Sequence, residues 1–338
     1  MSERAGIIAA GNWIVDHIKV VDVYPAEQSL ANIKREFMSN GGAPFNVLKD
    51  LSRLGADFPL RGFGLIGDDN DGRWIRDECK HHRINIDGVR SIPDVHTSYT
   101  DVMSVESTGR RTFFHQRGAN AVLNVEHIDV RAAKEKILHL GYLLLLDELD
   151  RLDSDGISGA ARVLRAAKES GLKTSVDTVS EESNRFKDVI VPSLPYVDYL
   201  FINEFEASRC TGVDLAHDPP EQQGLRTAAQ RLLNHGVREW VLIHFPKGVL
   251  ALNKQGEEIV QGAVKLPMDN VVSTVGAGDA FAAGTLWGIH EDWDMRQSIQ
   301  LGVCTAAACL QDVSWSDGIK GHQQCSGLGA LHSFHELS

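Results

Sequence analysis

Short apolar runs recur along the chain at residues 6–10, 57–66, 138–146, 174–177, 199–202 and 240–244, and read as buried strands. Between them the spacing lengthens to that of an amphipathic helix. In residues 43–54 the apolar positions fall at Val47, Leu48, Leu51 and Leu54. Residues 156–170 and 222–235 read as helices too, the first followed by Gly171 as a C-cap. From residue 138 strand and helix alternate, which predicts a parallel sheet covered on both faces, an α/β doubly wound fold. The N-terminal third departs from this rhythm. Residues 20–37 have no clear period and read as strands and turns of a small accessory sheet. Residues 97–105 and 111–114 flank Ser107-Thr108-Gly109 as a hairpin.

One stretch carries the strongest chemical signal. Residues 271–289, VVSTVGAGDAFAAGTLWGI, read as strand end, glycine turn and helix. Gly276 and Gly278 permit backbone angles that other residues avoid, and small residues at Ala282, Ala283 and Gly284 permit close packing. The turn delivers free N–H groups at a helix N-terminus, where the helix dipole also favours negative charge. Asp279 stands among those donors. Two readings fit it: a helix N-cap, or a base that takes the proton of a hydroxyl while the amides of residues 276–278 hold a migrating phosphoryl group. The stretch is neither a Walker A loop nor a dinucleotide fingerprint, because the Lys-Ser/Thr pair is missing and the third glycine comes too late.

Composition narrows the partners. A net charge of −12 argues against nucleic acid and anionic membranes, while leaving room for a local anion site. The cysteines, Cys79, Cys210, Cys304, Cys309 and Cys325, form no Cys-x-x-Cys pair, and suggest neither a disulfide framework nor a zinc site; a reducing, cytoplasmic setting fits. The opening MSERAGIIAAGNW lacks the apolar length of a signal peptide, and no run approaches a membrane span. The acidic cluster at residues 68–71 fails as a calcium loop, since Cys79 stands where a bidentate Glu is needed.

Further polar residues sit at the ends of the read strands. Asp16 follows the first strand, where open α/β sheets place ligands; it is either a solvated loop carboxylate or an acceptor for sugar hydroxyls. Gly41 and Gly42 open the helix that carries Asn46 on its first turn. Asn203 and Glu206 have the spacing of a capping box, which is a structural role in itself. Asp177 ends another strand.

Taken together, STVGAGDAFAAG resembles the C-terminal signature of the ribokinase-like (PfkB) carbohydrate kinases, Asp-Thr-x-Gly-Ala-Gly-Asp-x-Phe. Gly41, Gly42 and Asn46 resemble that family's Gly-Gly-x-x-x-Asn signature, and Asn203 to Glu206 its Asn-x-x-Glu motif, all in family order. The resemblance implies a doubly wound, mostly parallel sheet with a small inserted β-sheet lid. Its core would take residues 1–14, 41–91 and 118–338, and its lid residues 15–40 and 92–117. It implies ATP-dependent phosphorylation of a hydroxymethyl group, with Asp279 as base and the amides of Gly276, Ala277 and Gly278 as the anion hole. Asp16, Gly41, Gly42, Asn46, Arg117 and Asn120 would hold the acceptor. Asn203, Glu206, Thr274, His244 and Lys247 would serve the nucleotide, Glu206 organising Mg2+ through bound water. Lid strands of the family also pair between subunits, so a homodimer is expected.

Two departures stand out. The stretch from Ile243 to Gly248 lacks the family's Thr-x-Gly-x-x-Gly, and Pro246 removes an amide donor, leaving Lys247 to meet the phosphates as a mobile charge. Ser273 replaces an Asp near the place where the family often holds a potassium ion, which leaves potassium activation open. A nucleoside acceptor stays open because Trp13 and Phe45 lie near Asp16 and Asn46. A non-catalytic sugar or nucleotide sensor stays open because of the altered 243–248 stretch. The polar tail after Leu310 is expected beside the adenine site or loosely held.

Overall fold

The computed structural model describes residues 4–337. In chain order, β1 (Ile7–Gly11), β2 (Ile14–Val21) and β3 (Ile33–Gly41) precede α1 (Ala43–Leu54). Next come β4 (Leu60–Gly67), α2 (Asn70–His81), β5 (Asn85–Ile92), β6 (Ser98–Val105) and β7 (Arg111–Gln116). Then follow β8 (Ile137–Leu143), α3 (Asp147–Asp150), α4 (Gly159–Glu169), β9 (Lys173–Thr178), β10 (Tyr199–Asn203), α5 (Glu204–Thr211) and α6 (Gln222–Asn234). The hairpin strands β11 (Trp240–Phe245), β12 (Gly248–Asn253) and β13 (Glu258–Gly262) lead to α7 (Ala277–His290), α8 (Met295–Cys309) and α9 (His322–His332).

A nine-stranded sheet runs β13-β12-β11-β10-β9-β8-β1-β4-β5. All neighbours from β11 to β5 are parallel, and β12 and β13 add an antiparallel edge. Alternation along each strand splits the core in two. Ile8, Ala10, Leu140, Ile202 and Ile243 face the layer containing α4 and α6, while Ile7, Ala9, Phe201 and Leu242 face that of α1, α7 and α8. The chain leaves β1 for β4 on one side and returns to β8 on the other, so strand order reverses beside β1. Ligands of open α/β sheets bind at the carboxyl ends beside such a reversal.

A separate four-stranded sheet, β3-β2-β6-β7, stands over those carboxyl ends. Its Ile18, Val102 and Phe37 pack on Trp315 and Val275. α1 starts and stops where residues 43–54 predict: Gly42 has φ +82°, Pro44 occupies the first turn, and Gly55 closes the helix with φ +90°.

The structure corrects three local expectations. Residues 271–274 are not a strand; the amides of Val272 and Ser273 both donate to Leu310 O, at 2.8 and 3.2 Å, outside any sheet. The strand read at 138–146 stops at Leu143, because the Asp150 carboxylate takes the amides of Leu144 and Leu146, at 3.2 and 2.9 Å, and turns the chain into α3. The tail beyond Leu310 is neither loose nor confined to the nucleotide side. Trp315 and Ser316 are fully buried behind the 273–278 turn, and α9 follows them.

Candidate active site

Gly276 adopts φ +81° and opens α7, and a side chain there would also press on Trp315, 3.0 Å from the built Cβ position. The first-turn amides of α7 therefore point into the cavity with no carbonyl four residues behind them. Asp279 is buried at that end. Its Oδ2 accepts from Asn46 Nδ2 at 2.7 Å and from Tyr142 Oη at 2.5 Å, while its Oδ1 accepts from no described residue. The carboxyl is thus held by one oxygen and presents the other. Burial and the nearby Asp177 charge push its pKa up to about 7, against the pull of the two donors. A carboxyl poised near neutrality is suited to accept a proton.

The donors are themselves oriented. Asn40 Nδ2 donates to Asn46 Oδ1 at 2.7 Å and to Ser316 Oγ at 2.9 Å, which turns the Asn46 amide towards Asp279. Asn12 Oδ1 accepts from the Tyr142 amide at 2.6 Å, and Asn12 Nδ2 donates to Leu145 O at 2.9 Å. One turn along α1 from Asn46, Asp50 is buried, and burial raises its pKa well above the usual carboxylate range.

Asp16 lies on β2 against Gly41, where any side chain would meet its carboxyl at 2.7 Å. Trp315 Nε1 donates to Asp16 Oδ2 at 2.5 Å. Burial pushes Asp16 up to about 7, the Trp315 and Thr100 donors opposing. The Arg111 guanidinium, carried on β7, stacks 4.7 Å over the Trp315 ring and donates to Ser273 Oγ. It stands beside the residue that replaces the signature Asp, and links the small sheet to the glycine turn.

At the other end of the cavity, Asn203 and Glu206 form a reciprocal capping box: Glu206 N donates to Asn203 Oδ1 at 2.9 Å and Asn203 N to Glu206 Oε2 at 3.0 Å. Ser180 Oγ donates to Glu206 Oε1 at 2.8 Å, and burial lifts Glu206 to about 7. Asp177 lies nearby with Oδ1 buried and unpartnered, its Oδ2 3.4 Å from Nε2 of the fully buried His139. Among the described residues no cluster of three or more His, Cys, Asp or Glu is arranged to ligate a metal directly. The hard oxygens of Glu206 and Asp177 on the cavity wall fit Mg2+ held largely through water.

These residues line one cavity of about 1030 Å³, which contains Asp16, Gly42, Asn46, Asn203, Glu206, His244, Thr274 and the turn from Gly276 to Asp279. Other sequence candidates lie elsewhere. Asn120 is fully buried and clamps the Trp13 backbone, exchanging hydrogen bonds of 3.2 Å with its N–H and C=O. The Arg117 guanidinium faces Asp147 at 3.3 Å and Glu181 at 3.7 Å, off the cavity wall. Gly41 lies behind Asp16. Pro246 and Lys247 form the tight turn between β11 and β12, and Lys247 does not line the cavity. His244 does, as a neutral imidazole that burial lowers to about 4. Trp13 and Phe45 stack on each other at 5.4 Å in the core, away from the wall.

Tyr142, Trp315, Arg111 and Asn40 were not legible as site residues. Each arrives through tertiary contact from a segment without a motif of its own.

The fold has solved counterparts. The chain superposes on the structure of Arabidopsis thaliana ribokinase complexed with ribose and ATP with a TM-score of 0.77, at 21% identity, covering 96% of this chain and 98% of that one. The sequence then fixes the family: residues 6–320 match the pfkB family carbohydrate kinase model, and the chain belongs to that family. It is a carbohydrate kinase. Similar proteins include a probable chloroplastic fructokinase-6 of Arabidopsis thaliana, 27% identical over 87% of this chain and 73% of the relative. An ATP-dependent ribose-1-phosphate kinase of Halopiger xanaduensis is 26% identical over 97% of this chain and 98% of the relative.

Proposed function

We propose that this kinase moves the γ-phosphoryl group of ATP onto a hydroxymethyl group of a sugar or sugar-like alcohol, with Asp279 as the base. The observation that carries the reading is the Asp279 carboxyl, anchored through Oδ2 and open at Oδ1 at the N-terminus of α7. Asp16, Gly42 and Asn46 hold the acceptor's hydroxyls beside it. Asp279 Oδ1 takes the proton of the hydroxymethyl group as its oxygen bonds to the γ-phosphorus. The bond from that phosphorus to the β,γ-bridging oxygen breaks, and ADP leaves with the electron pair. The amides of residues 276–278 hold the equatorial oxygens during transfer. Asn203, Glu206, His244 and Thr274 serve the nucleotide end, where Glu206 and Asp177 would hold Mg2+ through water and the ion would supply charge neutralisation. The small sheet acts as a lid that excludes water from the transferred group. Its outer face, with Phe114 and Ile33 exposed, suits pairing in a homodimer. The cysteines are all buried and unpaired, which suits a reducing cytoplasmic setting.

The test is acceptor-dependent release of ADP in the presence of Mg2+. Asp279→Asn should lower kcat by about two to four orders of magnitude with little change in the affinity for ATP. Unchanged turnover would remove Asp279 from the chemistry.

A further inference from the structure

Resting on the kinase reading above, we infer that the acceptor is an uncharged polyhydroxy compound, and that sugar phosphates and sugar acids are rejected by charge. Five carboxyl groups, those of Asp16, Asp177, Glu204, Glu206 and Asp279, line the cavity, Asp16 and Asp279 at its acceptor end, and no lysine or arginine does. The cations close by are engaged elsewhere. Arg111 lies behind the Trp315 ring, bonded to Ser273. Arg117 sits between Asp147 and Glu181. Of the three imidazoles on the wall, His115 and His244 are kept neutral by burial, both near 4, and burial lowers His335 as well. The one electropositive feature is the amide turn at 276–278, and the transferred phosphoryl group occupies it.

A phosphate or carboxylate on the acceptor would face the Asp16 and Asp279 carboxyls with no lysine or arginine on the wall to pair with. Desolvation and like-charge repulsion both oppose that. Hydroxyls meet the opposite situation: Asp279 Oδ1 accepts from no described residue, and the Asp16 carboxyl has acceptor capacity beyond its Trp315 and Thr100 donors. Ile14, Phe113, Tyr142 and Leu145 add apolar wall for the C–H face of a ring or chain. The similarity to a kinase named for ribose 1-phosphate therefore does not extend to acceptor charge.

The experiment compares acceptors with and without an anionic group: ribose with ribose 1-phosphate, fructose with fructose 6-phosphate, and sorbitol with gluconate. ADP release gives kcat/KM, and calorimetry gives affinity independently of turnover. In each pair that binds, the neutral member should be favoured at least about tenfold, the factor that 1.4 kcal/mol produces. Phe113→Lys places a cation on the lid's inner face at a half-exposed position, where folding tolerates it. It should narrow that gap. An anionic acceptor used as well as its neutral partner, in a reaction that Asp279→Asn abolishes, would overturn the inference and leave the kinase reading standing. A gap that Phe113→Lys leaves unmoved would also overturn it. Tighter binding of neutral acceptors with no ADP release from any would instead sink the kinase reading.

Discussion

At the scale of residues, the account rests on how Asp279 is held. A base works as the carboxylate, so kcat/KM should rise with pH through about 7, the value to which burial and Asp177 push Asp279. Tyr142 favours the ionised form by donating to Oδ2. Tyr142→Phe should therefore raise the Asp279 pKa and move the rising limb to higher pH, with activity falling more at pH 6.5 than at pH 8.5. A parallel loss at all pH values would mean that Tyr142 acts through packing alone. The same residues mark the limit of sequence reading. Asp279, Asn46, Asn203 and Glu206 were legible because each sits in a short motif at the end of a strand or the start of a helix, whereas Asp16, read as following the first strand, lies within β2. Tyr142 and Trp315 follow no such rule. Their roles come from where β8 and the tail are brought in space, which no local pattern encodes.

At the scale of elements, α1 and the small sheet carry the predictions. The boundaries of α1 were legible because its apolar spacing and both glycine ends agree. Its costliest residue was not: Asp50 continues the helix without harm to the pattern, yet burial there raises its pKa well above the usual carboxylate range, with the Ser316 hydroxyl opposing. A carboxyl whose pKa is raised on folding leaves stability intact below its unfolded value near 4 and removes it as pH rises through the folded value. Asp50→Asn should therefore stabilise the protein at pH 7.5, by about 1–3 kcal/mol, and the gain should vanish below about pH 4. Thermal unfolding across that range reads it. In the small sheet, Arg111 joins β7 to Ser273 and Trp315. Arg111→Ala removes a stacked cation and a hydrogen bond, together worth about 1–2 kcal/mol. It should raise the acceptor KM by about tenfold and increase acceptor-independent ATP hydrolysis, because a loosened lid admits water. Unchanged coupling would show that the sheet closes without this contact. The hairpin of β6 and β7 was legible from its turn, but the reach of Arg111 was not, since neither end of that contact belongs to a motif with the other.

At the scale of the whole molecule, the doubly wound sheet puts the carboxyl ends of β1, β8, β9, β10 and β11 around one cavity, and the reversal of strand order beside β1 opens it. That plan was legible from the alternation of strand and helix after residue 138. The packing of the last thirty residues was not. Polar and glycine-containing, they read as a tail beside the adenine site or loosely held, and yet Trp315 is buried and donates to Asp16. Ile319 and Cys325 are buried as well. The central claim, that this molecule transfers a phosphoryl group to an alcohol through Asp279, is tested most directly by phosphorus NMR of ATP, Mg2+ and a panel of neutral sugars and polyols, with the wild-type protein and with Asp279→Asn. The account predicts a new phosphomonoester that grows in step with ADP for at least one acceptor and fails to grow with the variant. Ester formation at the same rate with Asp279→Asn, or ADP accompanied only by inorganic phosphate, would contradict it.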